Sequence, residues 1–483
     1  MTTWTIFESQ EKKWEELLNR YLPIVENNSI WRQSRITGDQ DPIQGWKLHI
    51  SATILSACSV FERVAPYLAR LGVVFKAPSS ILELKKLNCG LYYGYSQIGK
   101  FITVYPRTEE ESVLIANELH KMTKEFAGPL VPSDNSLRKG SLVHYRYGAF
   151  IKLELDDENG NSVPAVYTPQ GDLVQDLRIP GEAVPNWVTD PFTKESYHED
   201  IKSNLEKLSP IINTLAYEAI SQRGKSGVYR ALDLSTSPAR ICILKEGRKY
   251  GETDWDNRDG YWRVRHEAKV LMYLQTKGIN VPKVYTTFEE ESNYYLTMEL
   301  IEGENLQKLL LKKIAIKDAL KYGVQIAKIM KGIHDTGWVW RDCKPLNLIL
   351  SKESVLRPID FEGACLIDSP DRMEWGTQGY LPPEWTQPFI GQSRLPEDLY
   401  ALGATLHQVF SGQIPRTSLL PPIGKLRKRV PSTVRQIIAA LLDPNPNSRP
   451  SANTVLQVLE ASYYENFGNV EESYNHYSRV TFL

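Results

Sequence analysis

Trp340-Arg341-Asp342-Cys343-Lys344-Pro345-Leu346-Asn347, followed by Ile359-Asp360-Phe361-Glu362, is the stretch on which the fold turns. Asp342 can accept a hydroxyl proton, and Lys344 can offset charge developing on a phosphoryl group. Asn347 and Asp360 supply the hard oxygen ligands that Mg²⁺ prefers. Two carboxylates, an amide and a lysine in this order are the working parts of phosphoryl transfer. Short apolar runs flank them, Leu348-Ile349-Leu350 and then Ile359. A chance D-x-K-x-x-N in a surface loop would carry the same residues, so the remaining parts must be found at the right places.

Upstream, Ser221-Gln222-Arg223-Gly224-Lys225-Ser226-Gly227-Val228-Tyr229 lies between candidate strands. The glycines Gly224 and Gly227 allow backbone N–H groups to approach phosphates closely. Ile241-Cys242-Ile243-Leu244-Lys245 then ends an apolar strand on a lysine. In the helix that follows, Glu267 falls on the same stripe as Val264, Leu271 and Leu274. A buried carboxylate there needs a cationic partner, and Lys245 is the natural one. Leu296–Glu304 reads as a strand and hinge, whose backbone would meet an adenine ring.

Downstream come Gly376-Thr377-Gln378-Gly379-Tyr380-Leu381-Pro382-Pro383-Glu384, Asp398–Gly403 and Asn447-Ser448-Arg449-Pro450. Taken in order, these landmarks resemble a protein kinase: glycine-rich loop, phosphate-orienting lysine with its helix glutamate, catalytic loop, metal aspartate, and a Pro-Pro-Glu segment paired with a distant arginine. The resemblance implies a bilobal kinase-like domain over 206–465 that uses ATP, or GTP in its place, with Mg²⁺. Three departures stand out. Trp340 replaces the histidine of His-Arg-Asp, which removes a structural hydrogen bond. Glu362 replaces the glycine of Asp-Phe-Gly, which removes backbone freedom and suggests a fixed loop rather than a phosphorylation switch. Gln222 replaces the first glycine of the loop, which suggests a looser phosphate cover. Lys245, Asp342, Asn347 and Asp360 all remain, so the reading is a working kinase rather than a pseudokinase.

The 483 residues carry 42% hydrophobic and 24% charged side chains and a formal net charge of −1, so no global basic field points to nucleic acid or an anionic membrane. No apolar run is long enough to cross a bilayer, and the N-terminus lacks a secretory pattern. The scattered cysteines Cys58, Cys89, Cys242, Cys343 and Cys365 form no C-x-x-C pair. They read as reduced thiols of a cytoplasmic protein.

The first 205 residues read as mixed helix and strand. An amphipathic helix over 4–25 precedes the strand Trp46-Lys47-Leu48-His49-Ile50. A helix over 54–71, stopped by Gly72, leads to Val73-Val74-Phe75-Lys76. The strand 100–106, a helix over 109–125 and a long strand over 142–155 follow. Residues 181–198 read as a loop, and 201–219 as a helix. Lys47 and His49 share one face, about 7 Å apart at two strand residues. Singly, Lys47, His49, Lys76, Lys100 and Arg146 are ordinary edge or snorkelling residues. Collected on one sheet, they would form a pocket for a dianion.

Trp46-Lys47-Leu48-His49, Phe75-Lys76, Gly99–Pro106, Ser133-Asp134 and Tyr145-Arg146-Tyr147-Gly148-Ala149-Phe150 together resemble the N-terminal lyase domain of class III lanthipeptide synthetases. That domain is in turn similar to the bacterial effector phosphothreonine lyases. The resemblance implies that Lys76 removes the Cα proton of a phosphoserine or phosphothreonine. It also implies that His49 protonates the departing phosphate while Lys47, Lys100 and Arg146 grip it. Elimination needs a neutral amine, whereas a free lysine titrates at about 10.4. Neighbouring cations and burial both disfavour the ammonium form.

The whole therefore reads as an α+β protein with a phosphoSer/phosphoThr lyase domain over 1–205, a Ser/Thr kinase-like domain over 206–465 and a tail over 466–483. The resemblance implies a dehydratase that phosphorylates Ser/Thr of a precursor peptide with a leader and a Ser/Thr/Cys-rich core, then eliminates phosphate to dehydroalanine or dehydrobutyrine. A homodimer is compatible with the same reading. The zinc-binding motifs of a LanC-like cyclase are absent, so the tail reads as the end of a dehydratase or as a linker to a cyclase. The alternative is a regulatory Ser/Thr kinase with an N-terminal phosphopeptide-binding module.

Overall fold

The structure is a computed structural model that describes residues 3–25, 29–192, 213–386, 391–417 and 419–468. It divides into two compact units, residues 1–264 with 288–295, and residues 265–287 with 296–483.

The first unit opens with α1 (Thr3–Tyr21), β1 (Ile24–Val25), β2 (Trp31–Gln33), β3 (Gln44–Ile50), α2 (Ala57–Leu71), β4 (Val74–Pro78) and α3 (Ile81–Cys89). It continues with β5 (Ile102–Tyr105), α4 (Glu109–Thr123), β6 (Asn135–Ser136) and β7 (Val143–Ala149). Local chemistry explains the helix bounds. Ser80 and Thr108 cap α3 and α4 by accepting from Glu83 N and Glu111 N, and Glu109, Glu110 and Glu111 place acid where the α4 dipole favours it. Gly72 closes α2 with a left-handed φ of +65°.

The strands form one seven-stranded sheet in the order β1-β2-β4-β5-β3-β7-β6. One face is apolar and buries Leu48, Ile50, Phe75 and Val104 against Trp14, Leu18, Phe61 and Val64 of α1 and α2. The opposite face of β3 carries Lys47 and His49. The expected long strand over 142–155 stops at Ala149, where Phe150 N–H turns to Ile43 O at 2.7 Å. Its continuation, β8 (Glu154–Asp156), joins β9 (Ser162–Tyr167) and β10 (Leu173–Gln175) in a separate three-stranded sheet.

The expected helix over 201–219 is corrected in its last part; residues 201–212 lie outside the described residues. Thr214–Gln222 is β11, paired antiparallel with β12 (Ser226–Asp233), which pairs with β13 (Arg240–Gly247). Cross-strand pairing outweighs the local helical preference of Ala and Glu there. This meander is joined to the earlier residues of its unit. Gly224 N–H donates to Cys89 O at 2.9 Å, the Arg248 guanidinium lies 5.4 Å from the Tyr95 ring centroid, and Phe7 meets Trp255 edge-on.

The second unit is mainly helical, with Ile316–Asp335, Leu395–Ser411, Ser432–Leu441 and Ala452–Phe467. Leu395–Ser411 is buried continuously from Asp398 to Ser411, as a central helix packed on all sides must be. No helix of the described residues is long and apolar enough to cross a membrane.

Candidate active sites

Strand register assembles the cationic face. Lys47 stands opposite Arg146 and His49 opposite His144 across β3 and β7. Thr103 of β5 stands opposite both His49 and Lys76. Residues directly opposite share a face, so Lys47, His49, Lys76 and Arg146 all project to one side. Lys100 enters just before β5, after Gly99 at φ +75°, where a Cβ would meet Leu130 O at 2.9 Å. The amines of Lys47 and Lys76 lie over the same Tyr105 ring, each 5.8 Å from its centroid, and that of Lys76 lies 4.7 Å from the Trp31 centroid. The five side chains singled out in the sequence are thus brought together.

Asp134 organises the group from beneath. Its fully buried carboxylate bonds His49 Nδ1 through one oxygen, and its other oxygen lies 3.3 Å from Lys100 Nζ and accepts from Ser133 Oγ at 3.0 Å. Burial opposes its ionisation, but Lys100 and then His49 overcome this and hold it well below the usual carboxylate range. His49 is pushed down to about 3, first by burial and then by Lys100 and Lys47, against the pull of Asp134. Its ring is therefore neutral, and with Nδ1–H donating to the Asp134 carboxylate, Nε2 keeps a lone pair. Burial, then Arg178 and Lys76, drive Lys47 well below its ordinary value. Lys100 is lowered by burial despite Asp134.

In the second unit the catalytic loop closes a small ring of polar contacts. Asp342 accepts Thr377 Oγ1 at 2.8 Å on one oxygen, and Lys344 Nζ at 2.7 Å and Asn347 Nδ2 at 2.8 Å on the other. Lys344 also donates to Thr377 Oγ1 at 2.6 Å. Asp398, fully buried, accepts the N–H groups of Trp340 and Arg341 at 2.7 and 2.6 Å. The hydrogen bond expected to be lost at Trp340 is not lost. Its indole N–H donates to Asp360 O at 3.0 Å, and the ring stacks on Phe361. Glu267 accepts Phe361 N–H at 3.3 Å. The Pro-Pro-Glu carboxylate of Glu384 takes two bonds from the Arg449 guanidinium, at 2.5 and 2.7 Å.

The segment after Asp360 is tied down by Arg341, which has φ +70° and donates to Gly363 O at 3.3 Å, to the Asp371 carboxylate at 3.0 Å and to Met373 O. Asp360 itself has φ +65°. Glu362 has no positive φ. The glycine of this segment is instead Gly363, where a Cβ would run into the Trp375 indole at 1.9 Å.

Residues 23–204 match the family described as RamC, N-terminal domain, and residues 220–460 match the protein kinase domain. The chain is a RamC N-terminal domain joined to a protein kinase domain. The resemblance to class III lanthipeptide synthetases is borne out by the two matches together with the first relative. This is the probable SapB synthase of Streptomyces coelicolor, 29% identical over 407 residues, covering 81% of this chain and 42% of that protein. Serine/threonine-protein kinase F of Synechocystis sp. is 27% identical over 271 residues, covering 51% of this chain and 54% of that protein. A probable serine/threonine-protein kinase of Clostridium acetobutylicum is 24% identical over 279 residues, covering 53% and 41%. The chain thus spans about half or less of the length of these relatives.

Protein kinase domains use ATP and Mg²⁺, and the residues present fit the metal. Asn347 spends its amide N–H groups on Asp342 O and Oδ2, which leaves its carbonyl oxygen for a hard cation beside the carboxylate of Asp360. In the glycine-rich loop, Gly224 N–H is given to Cys89 O of the RamC-type domain rather than left free. A Cβ on Gly224 would overlap Asn88 O at 1.7 Å. Gln222 does not loosen this loop: it donates to Tyr229 OH at 2.9 Å and accepts from Arg248. Lys245 stands opposite Val228 on β13. Sequence reasoning assigned no role to Asp134 or Thr377. A cationic cluster short of any carboxylate was the signal for the first. The second was visible only as part of the Gly-Thr stretch.

Proposed function

We propose that the kinase domain phosphorylates Ser and Thr hydroxyls of a ribosomal precursor peptide and that the RamC-type domain then eliminates the phosphate, leaving dehydroalanine or dehydrobutyrine. The observation that supports this is a single sheet face carrying Lys47, His49, Lys76 and Arg146, with Lys100 brought to it through the buried Asp134 that also holds His49, in a chain that also carries a complete catalytic loop.

When bound, ATP would supply the phosphoryl group and Mg²⁺ would offset its charge. Asp342 takes the hydroxyl proton, while Lys344 and Thr377 hold that carboxylate in place. Asn347 and Asp360 would hold the metal, and Lys245 would orient the phosphates. In the second step the Lys76 amine takes the Cα proton. The C–H electron pair becomes the Cα=Cβ π bond, and the Cβ–O pair leaves on phosphate, which takes a proton from His49 Nε2. Lys47, Lys100 and Arg146 stabilise the charge on the departing group, a preorganised effect.

His49 is neutral before substrate binds, so its proton must be acquired with the phosphate. An unperturbed histidine titrates at about 6.5, whereas this ring is held at about 3. Between these values an unfolded chain is protonated at this residue and the folded one is not. An entering dianion cancels the repulsion from Lys47 and Lys100 and raises the value again. Ring ¹⁵N shifts at pH 5 are expected to report a neutral His49 without anion and a protonated one in excess sulfate, which is a dianion at that pH. Buried His144, whose Nδ1 lies 3.1 Å from Leu142 O, serves as the internal reference. A ring already protonated without anion defeats this reading.

Arg341 already has a carboxylate, Asp371, where a regulated loop would need a phosphate. Phosphatase-treated protein is accordingly expected to keep its rate of peptide phosphorylation. Asp371→Ala should lower that rate by about tenfold or more, the value of one charge-assisted hydrogen bond.

The decisive experiment is mass spectrometry of a candidate precursor peptide incubated with the chain, ATP and Mg²⁺. Loss of water supports the proposal. Stable phosphopeptide alone favours the second reading, a regulatory kinase with a phosphopeptide-binding module, which the likeness of the C-terminal half to serine/threonine kinases keeps in view.

A further inference from the structure

Beside the cationic face, the residue that follows β10 makes a contact which the elimination chemistry does not use. Asp176 is anchored through its N–H to Pro164 O at 2.7 Å, and its side chain is 5% exposed. One carboxylate oxygen bonds Arg146 Nη2, and the other accepts Arg178 Nε at 3.0 Å. A single buried carboxylate therefore bridges two guanidinium groups by one nitrogen each, and Arg146 also donates through Nε to Tyr147 O at 3.4 Å and through Nη2 to Leu177 O at 3.3 Å. The remaining donors are few. Arg146 Nη1 is buried with no hydrogen-bond partner, an expensive state for a donor on a charged group. Arg178, 34% exposed, makes no hydrogen bond through its two terminal nitrogens among the described residues.

The location is the anion pocket itself. A Cβ on Gly148 would lie 3.6 Å from Asp176 Oδ2 and 3.7 Å from both Arg146 Nε and Lys47 Cε. Asp176, Arg146 and Lys47 thus meet around one point, each at ordinary contact distance from it. Arg178 Nε lies 3.0 Å from that same Asp176 oxygen, which places its head at the pocket, and its charge acts on both Lys47 and Lys100.

We propose that Arg178 is a further phosphate-gripping residue, and that Asp176 is the positioning residue holding Arg146 and Arg178 as one pair whose remaining donors, Arg146 Nη1 and the terminal nitrogens of Arg178, receive a phosphate monoester. This rests on the lyase reading of the cationic face. Fork-like guanidinium donors match phosphate oxygens in pairs, and a shared carboxylate removes the freedom that two independent long side chains would lose on binding. The buried Nη1 of Arg146 gains its acceptor only when a phosphate oxygen arrives.

The test uses the full chain with a synthetic phosphothreonine peptide as substrate and inorganic phosphate as competitor. Arg178→Gln is expected to raise KM and the inhibition constant of phosphate by about tenfold, with kcat changed much less. Arg178→Lys should restore part of the loss. Asp176→Asn should move both constants the same way, and the double variant should be little worse than Arg178→Gln because the two residues act as one unit. Constants within about twofold of the parent in Arg178→Gln, with the thermal melt unchanged, overturn the proposal. Should Asp176→Asn fail to fold, the half-exposed Arg178 variants still decide it. If the parent chain eliminates nothing, the lyase reading fails separately. Calorimetric titration of inorganic phosphate into parent and Arg178→Gln then tests the arginine pair directly: weaker binding in the variant supports it, and equal binding refutes it.

Discussion

Lys76→Ala is expected to abolish elimination while leaving phosphorylation intact, so that phosphopeptide accumulates where the parent chain gives dehydrated product. A positioned general base contributes about 10²–10⁴ in rate, and the loss should fall in that range when measured on a synthetic phosphopeptide without ATP. The geometry makes Lys76 the strongest candidate. It projects from β4 on the same face as His49, through their shared opposite Thr103. Its amine rests over Trp31 and Tyr105, close enough to Lys47 to weigh on that ammonium. Lys76→Arg separates two roles. An arginine keeps the positive charge but cannot be deprotonated, so it should remain as inactive as alanine. Elimination within about tenfold of the parent in either variant would mean that the proton leaves to another base.

The complementary result is expected of Asp342→Asn. Phosphorylation should fall by about 10²–10⁴, because an amide cannot take the hydroxyl proton. Elimination from a synthetic phosphopeptide should continue unchanged. The asparagine also faces two donors, Lys344 Nζ and Asn347 Nδ2, where the carboxylate accepted both, so a thermal melt belongs beside the assay. Asp360→Asn tests the same division from the metal side. If both substitutions also stopped elimination, the two chemistries would not be divided between the two domains as proposed.

Much of this was legible because chemistry and local sequence coincide in a kinase core. Asp342, Lys344 and Asn347 lie within one loop, and Glu384 with Arg449 is fixed by two short motifs. The cationic face was legible only as a list of residues. Their convergence depends on strand order and register, which no local pattern specifies. Asp134 was passed over for the same reason, as it reaches His49 across 85 positions of sequence. Thr214–Gln222 shows the opposite failure. Ala and Glu made it look helical, and pairing with β12 made it a strand. At Trp340 the substitution looked like a lost contact, but the indole N–H reaches Asp360 O by a different route.

The bond from Gly224 N–H to Cys89 O bears on how such chains can be recombined. Asn88 carries the joint further. Its amide donates to Ala52 O at 2.9 Å and accepts Gly99 N–H at 3.2 Å, one residue before Lys100, while its own carbonyl leaves room only for a glycine at 224. A chimera spliced between 193 and 212 would set a foreign glycine-rich loop against this seat. Grafts that carry 1–264 as one block keep the seat and its loop together. Exchange of these domains between relatives is therefore expected to tolerate a crossover beyond residue 264 better than one between 193 and 212, with soluble yield and thermal melt as the readouts.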